Sequence, residues 1–111
     1  MEKLIIYKKS LDLIANIYSL IRNNFELKKD YSLCDQLKRS AISIPLNIAE
    51  GYGRGIKHFK SYLKIATGST NELITILKII ELIYHLKTDL LQNEYQILAK
   101  QISSFSRSLN N

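Results

Sequence analysis

The side chains in this sequence that could do chemistry are mainly cations in its central part. All charged residues between Glu50 and Glu72 are basic, and a histidine lies among them. Such side chains bind phosphate groups, release counterions and give salt-sensitive binding that does not read a base sequence. An ordinary solvated face is the alternative interpretation. The candidate nucleic-acid-binding residues are Arg39, Arg54, Lys57, His58, Lys60, Lys64 and Lys78.

The spacing of these cations favours one helical face. Lys57, Lys60 and Lys64 are three or four residues apart, and Lys78 continues their row. Like charges at this spacing repel one another by about 0.2–0.5 kcal/mol per pair, which a bound polyanion would relieve. The whole chain has 16 basic and 10 acidic residues, and its net charge of +6 favours the same kind of partner.

Catalytic and metal-binding patterns are poorly represented. His58 and His85 belong to no HxxxH, HExxH or ExxH pair, and the glutamate array of a di-iron bundle is missing from the sequence. Cys34 has no identifiable base partner, so we interpret it as a small buried hydrophobe. The glycines after position 50 do not form a GxGxxG loop, because Ile56 occupies the third glycine position. We therefore predict a non-enzymatic protein with no cofactor and no metal.

Apolar periodicity predicts an all-α fold, an antiparallel up-down-up-down four-helix bundle in one domain over residues 1–111. Ser32 with Asp35, and Asp89 with Gln92, have the spacing of helix start signals. The predicted helices run from Leu4 to Phe25, from Ser32 to the glycines Gly51, Gly53 and Gly55, from Lys57 to Leu86, and from Asp89 to the chain end. We expect the glycines to supply a left-handed C-terminal cap.

Pro45 lies inside the second predicted helix. Proline removes one backbone donor and clashes with the preceding turn, so we expect a kink between Ala41 and Pro45. The hydroxyl groups of Ser40 and Ser43 could satisfy the freed backbone groups. Two short helices separated by a turn are the alternative.

The first two long helices have wide apolar surfaces. In the second, Ala41, Ile44 and Ile48 form one row, and a second row roughly 120° away consists of Ile42, Leu46, Ala49 and Tyr52. One antiparallel neighbour covers a stripe of little over ~100°. Deep burial within the bundle or contact with another subunit would account for the excess, and we expect a homo-oligomer.

Gly68 and Ser69 lie in the middle of the third predicted helix, where glycine costs nearly ~1 kcal/mol relative to alanine. An antiparallel hairpin places them opposite Ser40 and Ala41, so that small residues would let the helices approach. The same register brings Glu72 near Gln36 and Arg39, as a polar bridge or as a solvated carboxylate.

The sequence also bears on the compartment. Lys8 and Lys9 interrupt the apolar residues after Met1, so a signal peptide is not expected, and apolar runs are shorter than the ~20 residues of a membrane span. Cys34 is the single cysteine and cannot form an internal disulfide. We therefore expect a cytoplasmic protein without a membrane partner.

Two segments resemble a known family. QLKRSAISIPLNIAEGYGRG at Gln36–Gly55 and FKSYLKIATGSTNEL at Phe59–Leu73 are similar to four-helix-bundle proteins encoded by intervening sequences in bacterial 23S ribosomal RNA genes. The accessory protein of diversity-generating retroelements is related to that family. Ile56 departs from the pattern, since the family usually has a helix-capping serine there, and so does His58, where an acidic residue is common. The positions that match the family motifs are Pro45, Asn47, Glu50, Gly51, Gly68, Ser69 and Glu72.

The resemblance implies a left-twisted bundle that assembles into a ring-like homopentamer. It offers no catalytic residue to transfer. In the retroelement branch the pentamer is basic, binds nucleic acid and associates with a reverse transcriptase. We therefore expect an oligomeric scaffold that binds RNA or DNA through its basic surface, with an adaptor for a reverse transcriptase or another nucleic-acid enzyme as the alternative.

Overall fold

The computed structural model describes residues 2–109, and within them the all-α prediction is confirmed. Five helices and no strand are present in this range: α1 Glu2–Arg22, α2 Phe25–Lys28, α3 Tyr31–Tyr52, α4 Ile56–Tyr84 and α5 Asp89–Ser108. The first helix was predicted from Leu4 to Phe25, but α1 begins two residues earlier and ends three residues earlier, and the four-residue α2 follows. The single-domain prediction includes Met1 and residues 110–111, which lie outside the described range.

Each of the four longer helices packs against two of the other three. α3 makes its most extensive contact with α4, α4 continues onto α5, and α1 contacts both α3 and α5. The described chain measures 47 × 21 × 18 Å. An ion pair between Lys9 and Glu94, with Nζ and Oε1 3.3 Å apart, joins α1 to α5 at the surface. The elongated shape gives long helix-to-helix seams on which surface grooves can form.

Apolar side chains at helical spacing fill the space between these helices. Burying one such side chain contributes about 1.5–3 kcal/mol, so these buried side chains together supply the main stabilisation of the fold. The largest fully buried residues are Ile6, Ile17, Leu27, Leu37, Ile44, Leu63, Leu73, Leu77, Ile80, Tyr95, Leu98 and Ile102.

The N-terminus of α3 differs from its predicted start at Ser32. Asp30 is the N-cap, and its Oδ1 accepts a hydrogen bond of 3.1 Å from the backbone N–H of Leu33. Ser32 and Asp35 both lie within the helix instead of forming a capping box. Either Asp or Ser can cap a helix. Asp30 is favoured as the N-cap because its other carboxylate oxygen accepts a 2.7 Å hydrogen bond from the Tyr84 hydroxyl.

Pro45 is buried within one continuous helix, so the alternative of two short helices is wrong. The Ser43 hydroxyl, expected to bond freed backbone groups, instead bonds the Ser69 hydroxyl of α4 at 2.8 Å. The Asn47 amide donates to both the carbonyl oxygen and the hydroxyl of Ser43. These three polar side chains join α3 to α4 beside the proline.

One of the three glycines predicted to adopt left-handed backbone does so, but it does not cap α3. Gly53, the C-cap of α3, has φ −81°, and positive φ values occur instead at Gly55, which precedes α4, and at His85, which caps the end of α4. The expected left-handed glycine cap on α3 is therefore wrong. α4 begins at Ile56 and ends at Tyr84, one residue earlier and two residues earlier than predicted.

The N-cap of α5 is one residue earlier than predicted. Thr88, not Asp89, is the N-cap residue, and Gln92 donates to its hydroxyl at 2.9 Å. Glu81 of α4 accepts hydrogen bonds from the backbone N–H and the hydroxyl of Thr88, and these bonds lower the pKa of Glu81. The α4–α5 turn is thus fixed from the α4 side, which sequence spacing within α5 does not reveal.

The close approach of α3 and α4 occurs at Gly51, not at Gly68. A Cβ at Gly51 would lie 2.5 Å from Cβ of Tyr62, whereas a Cβ at Gly68 would meet nothing within 4 Å. The prediction that Gly68 faces the small residues of α3 is therefore wrong. Ser69, its neighbour, does face α3 through Ser43.

These two glycines allow a matched test. Gly51→Ala should destabilise the fold by about 1–3 kcal/mol, because the Tyr62 side chain or the helix backbone must shift to admit the methyl group. Gly68→Ala should raise the free energy of unfolding by up to about 1 kcal/mol, because alanine favours helix and has open space. Urea unfolding followed by circular dichroism measures both, and equal destabilisation would contradict this packing.

The Tyr84–Asp30 hydrogen bond predicts alkaline sensitivity. This bond is the main reason that the pKa of Tyr84 rises from 10.0 to about 12. Because the folded-state pKa is raised, the stabilisation is complete below about pH 10 and is lost as the pH approaches 12. The difference in unfolding free energy between wild type and Tyr84→Phe should be constant near neutrality and shrink over this window. An unchanged difference at pH 12 would argue against the bond.

Candidate nucleic-acid interface

A basic groove runs between α4 and α5. Its volume is about 540 Å³, and we call it the α4–α5 groove. Both walls carry short polar side chains, which leave room for a ligand backbone. The lining residues are Lys60, Ser61, Lys64, Thr67, Gly68 and Asn71 of α4 and Ser103, Ser106 and Arg107 of α5.

The charge of the α4–α5 groove has one sign. Lys60, Lys64 and Arg107 are its charged lining residues, and the lining set contains no carboxylate. Arg107 was not among the predicted residues, because it is distant along the chain and belongs to another helix. Its position beside the apolar seam of α5, which includes Ile102 and Phe105, is the signal that could have placed it near α4.

Three other predicted cations lie outside the α4–α5 groove. Lys57 and His58 are exposed in the first turn of α4, and Lys78 is exposed seven residues beyond Asn71 on the same helical row. Lys57 and Lys78 extend the basic surface along α4 in both directions, whereas His58 lies on another side of the helix. The structure therefore brings together Lys60 and Lys64 and adds Arg107, with Lys57 and Lys78 on the same helical row.

The two remaining candidates are already paired with carboxylates. Arg54 bonds Glu50 through Nε at 2.8 Å and through a second guanidinium nitrogen, and the hydrogen bond raises the pKa of Arg54. Arg39 Nε bonds Asp35 at 2.9 Å. Both pairs are exposed, so each contributes little to stability, but a phosphate would compete with a carboxylate for each arginine.

Two of the motif residues, Ser69 and Glu72, line a polar cleft between α3 and α4. The cleft holds about 290 Å³ and contains the Ser43–Ser69 hydrogen bond. The predicted proximity of Glu72 to Gln36 and Arg39 is confirmed, although Arg39 pairs with Asp35. The lining residues are Gln36, Arg39, Ser40, Ser43, Ser69 and Glu72.

An exposed apolar face extends over α1 and α3. Lys3 Nζ lies 3.5 Å from the ring centroid of Tyr52, so these two helices are side by side at this end. Leu4 and Leu11 on α1 are about half exposed, and Leu46 on α3 is 62% exposed. Within the protomer this part of the predicted apolar surface is therefore not covered. Its exposed residues are Leu4, Leu11, Leu46, Ala49 and Tyr52, whereas Ile42 of the predicted row is half-buried.

The amino-acid sequence matches the family model of the 23S rRNA-intervening sequence protein over residues 2–111. The chain belongs to this family. No curated protein matches it. A similar solved structure is that of a protein of unknown function from the S23 ribosomal protein family of Bacteroides thetaiotaomicron. It is 22% identical, with a TM-score of 0.86, over 97% of this chain and 100% of the other. That likeness shows a shared fold.

The start of α4 has no side-chain cap, and the capping position is Gly55, not Ile56. α4 begins at Ile56, and Gly55 in its N-cap position makes no side-chain capping hydrogen bond. The first turn of α4 therefore lacks a stabilising cap of the kind that a serine provides. Lys57 and His58 belong to this turn, and the absence of acidic residues there leaves it basic.

Cys34 has the environment of a structural thiol. It is buried, its S–H donates to the carbonyl oxygen of Leu27 at 3.0 Å, and burial raises its pKa. A nucleophilic cysteine needs a lowered pKa, so the thiol is better suited to packing. Among residues 2–109, no group of three metal-ligating side chains comes together, and none of the helices there is long and apolar enough to cross a membrane.

Proposed function

We propose that this protein is a non-enzymatic oligomeric scaffold that binds RNA or DNA through the α4–α5 groove. The observation that carries the proposal is a groove with three cations and no carboxylate among its lining residues. Short serine and threonine side chains between the cations can donate hydrogen bonds to phosphate oxygens. Lys57, His58 and Lys78 would extend the phosphate contacts along α4, while Arg39 and Arg54 would contribute only by leaving their carboxylate partners.

We further propose that the protomer is an antiparallel up-down-up-down bundle with a kink at Pro45, and that copies assemble through the apolar face of α1 and α3. The exposure of Leu4, Leu11 and Leu46 supports assembly, because burying these side chains between copies would remove apolar surface from water. A ring, with five subunits as the family resemblance implies, would repeat the α4–α5 groove around its circumference. Repetition would increase affinity for a long polyanion by raising its effective concentration.

The second candidate function is a protein-interaction adaptor. The same apolar face could contact a reverse transcriptase or another nucleic-acid enzyme, as in the retroelement branch that the resemblance suggests. In that case the partner would hold most of the nucleic acid. Both functions fit a cytoplasmic protein, and neither function requires a cofactor.

Binding of duplex RNA or DNA tests the groove. The variant Lys60→Gln, Lys64→Gln, Arg107→Gln should bind all duplex sequences more weakly and should reduce the slope of log K against log salt by roughly three. The reason is the loss of three phosphate contacts with their released counterions. Fluorescence anisotropy at several salt concentrations measures both quantities.

A matched control changes three exposed cations elsewhere, Lys8, Lys29 and Lys87, to glutamine. It removes the same net charge but leaves the α4–α5 groove intact. If this control reduces the salt slope as strongly as the groove variant, overall charge explains the binding and the groove does not.

The apolar face predicts a specific assembly defect. Leu46→Glu should convert the oligomer into smaller species, because a carboxylate would be buried at the subunit contact. Leu82→Glu, at an exposed leucine of α4, should leave the assembly unchanged. Light scattering with size exclusion measures the mass of each, and a monomeric wild type would end the oligomer proposal.

A further inference from the structure

A second cavity of about 750 Å³ lies where α1, α2 and α3 meet, and we call it the end pocket. Arg22 closes the end of α1, Lys28 the end of α2, and Lys38 lies on α3, so that three cations from three helices converge on one cavity. Its size falls within the range of about 300–1,000 Å³ typical of small-ligand sites. It shares no lining residue with the α4–α5 groove.

Two tyrosines distinguish the end pocket from a merely basic surface. Tyr31, the first residue of α3, is 80% exposed and packs into no part of the core. Tyr18 lines the other side, with Lys38 Nζ 4.9 Å from its ring centroid. An exposed aromatic ring beside cations is the combination that holds a single nucleotide unit, because the ring stacks on the base while the cations contact the phosphate.

The acidic residue of the end pocket does not cancel this charge. Asp35 lines the cavity, but its Oδ2 accepts a 2.9 Å bond from Arg39, which is outside the lining set. Arg22, Lys28 and Lys38 therefore face the cavity with a net positive charge. The buried side chains of Ile21 and Cys34 form an apolar part of the lining that suits the edge of a base.

We propose that the end pocket binds one nucleotide of an unpaired RNA or DNA strand, with its base stacked on Tyr31 and its phosphate among Arg22, Lys28 and Lys38. Bases in a duplex are stacked on one another and cannot reach the Tyr31 ring. The end pocket therefore recognises single strands through a base, whereas the proposed contacts of the α4–α5 groove are to phosphates. This inference uses no residue of that groove and stands if the groove proves inactive.

The test compares a labelled thymidine dodecamer with an abasic strand of the same length, which carries the same phosphates without bases. The wild-type protein should bind the dodecamer more tightly. Tyr31→Ala should weaken dodecamer binding by roughly 5- to 150-fold and leave the abasic strand unaffected, because one stacking contact is lost. Tyr31→Phe retains the ring and should stay within about threefold of wild type.

Tyr31 is exposed, so both variants should fold, and circular dichroism checks this. A preference for the dodecamer that survives Tyr31→Ala would overturn the proposal, as would equal wild-type binding of the two strands. Competition by poly-glutamate that depends equally on Tyr31 would assign the end pocket to acidic peptides instead. The Lys60, Lys64, Arg107 variant should keep its Tyr31-dependent preference for bases, which separates failure of the end pocket from failure of the groove.

Discussion

The contact between α3 and α4 at Gly51 is the constraint on which the rest of the structure depends. Absence of a side chain lets the backbone of α3 approach Cβ of Tyr62, and the Ser43–Ser69 hydrogen bond fixes the same two helices about two turns further along. A third link, from Tyr84 to Asp30, ties the far end of α4 to the start of α3. Three links along one seam determine the rotation of α4 about its axis. With this rotation, Lys60 and Lys64 line the groove that α4 forms with α5.

The same rotation separates two kinds of surface. The α4–α5 groove is cationic and polar, while the exposed face of α1 and α3 is largely apolar. The helix contacts place α1 and α3 together on one side, with α4 and α5 joined to them at the two other seams. Assembly through the apolar face would thus leave the groove accessible. A protein whose cations and apolar residues shared one surface would have to desolvate lysines in order to associate, at a cost of several kcal/mol per unpaired charge.

Periodicity was sufficient to predict the four long helices, but not the short α2 or the helix ends. Apolar spacing depends on burial, which acts over the whole length of a helix, whereas a cap depends on one side chain. Ser32 and Asp30 are both residue types that cap helices. A hydrogen bond from Tyr84, which is remote in sequence, favours Asp30. Thr88 was selected in the same way by Glu81. Two of the three cations of the groove, Lys60 and Lys64, were predictable because they share a helix face. Predicting Arg107 required knowledge of how α5 packs on α4.

Gly68 links the energetics of α4 to the proposed binding. A glycine inside a helix costs nearly ~1 kcal/mol relative to alanine, and Gly51 shows how close packing can offset such a cost. At Gly68 the described protomer offers no such compensation, because the position is open and lines the α4–α5 groove. A sugar-phosphate backbone between Lys64 and Arg107 would pass directly over this position, and a methyl group there would hold it away. In the proposed complex, the bound ligand would supply the compensation for Gly68.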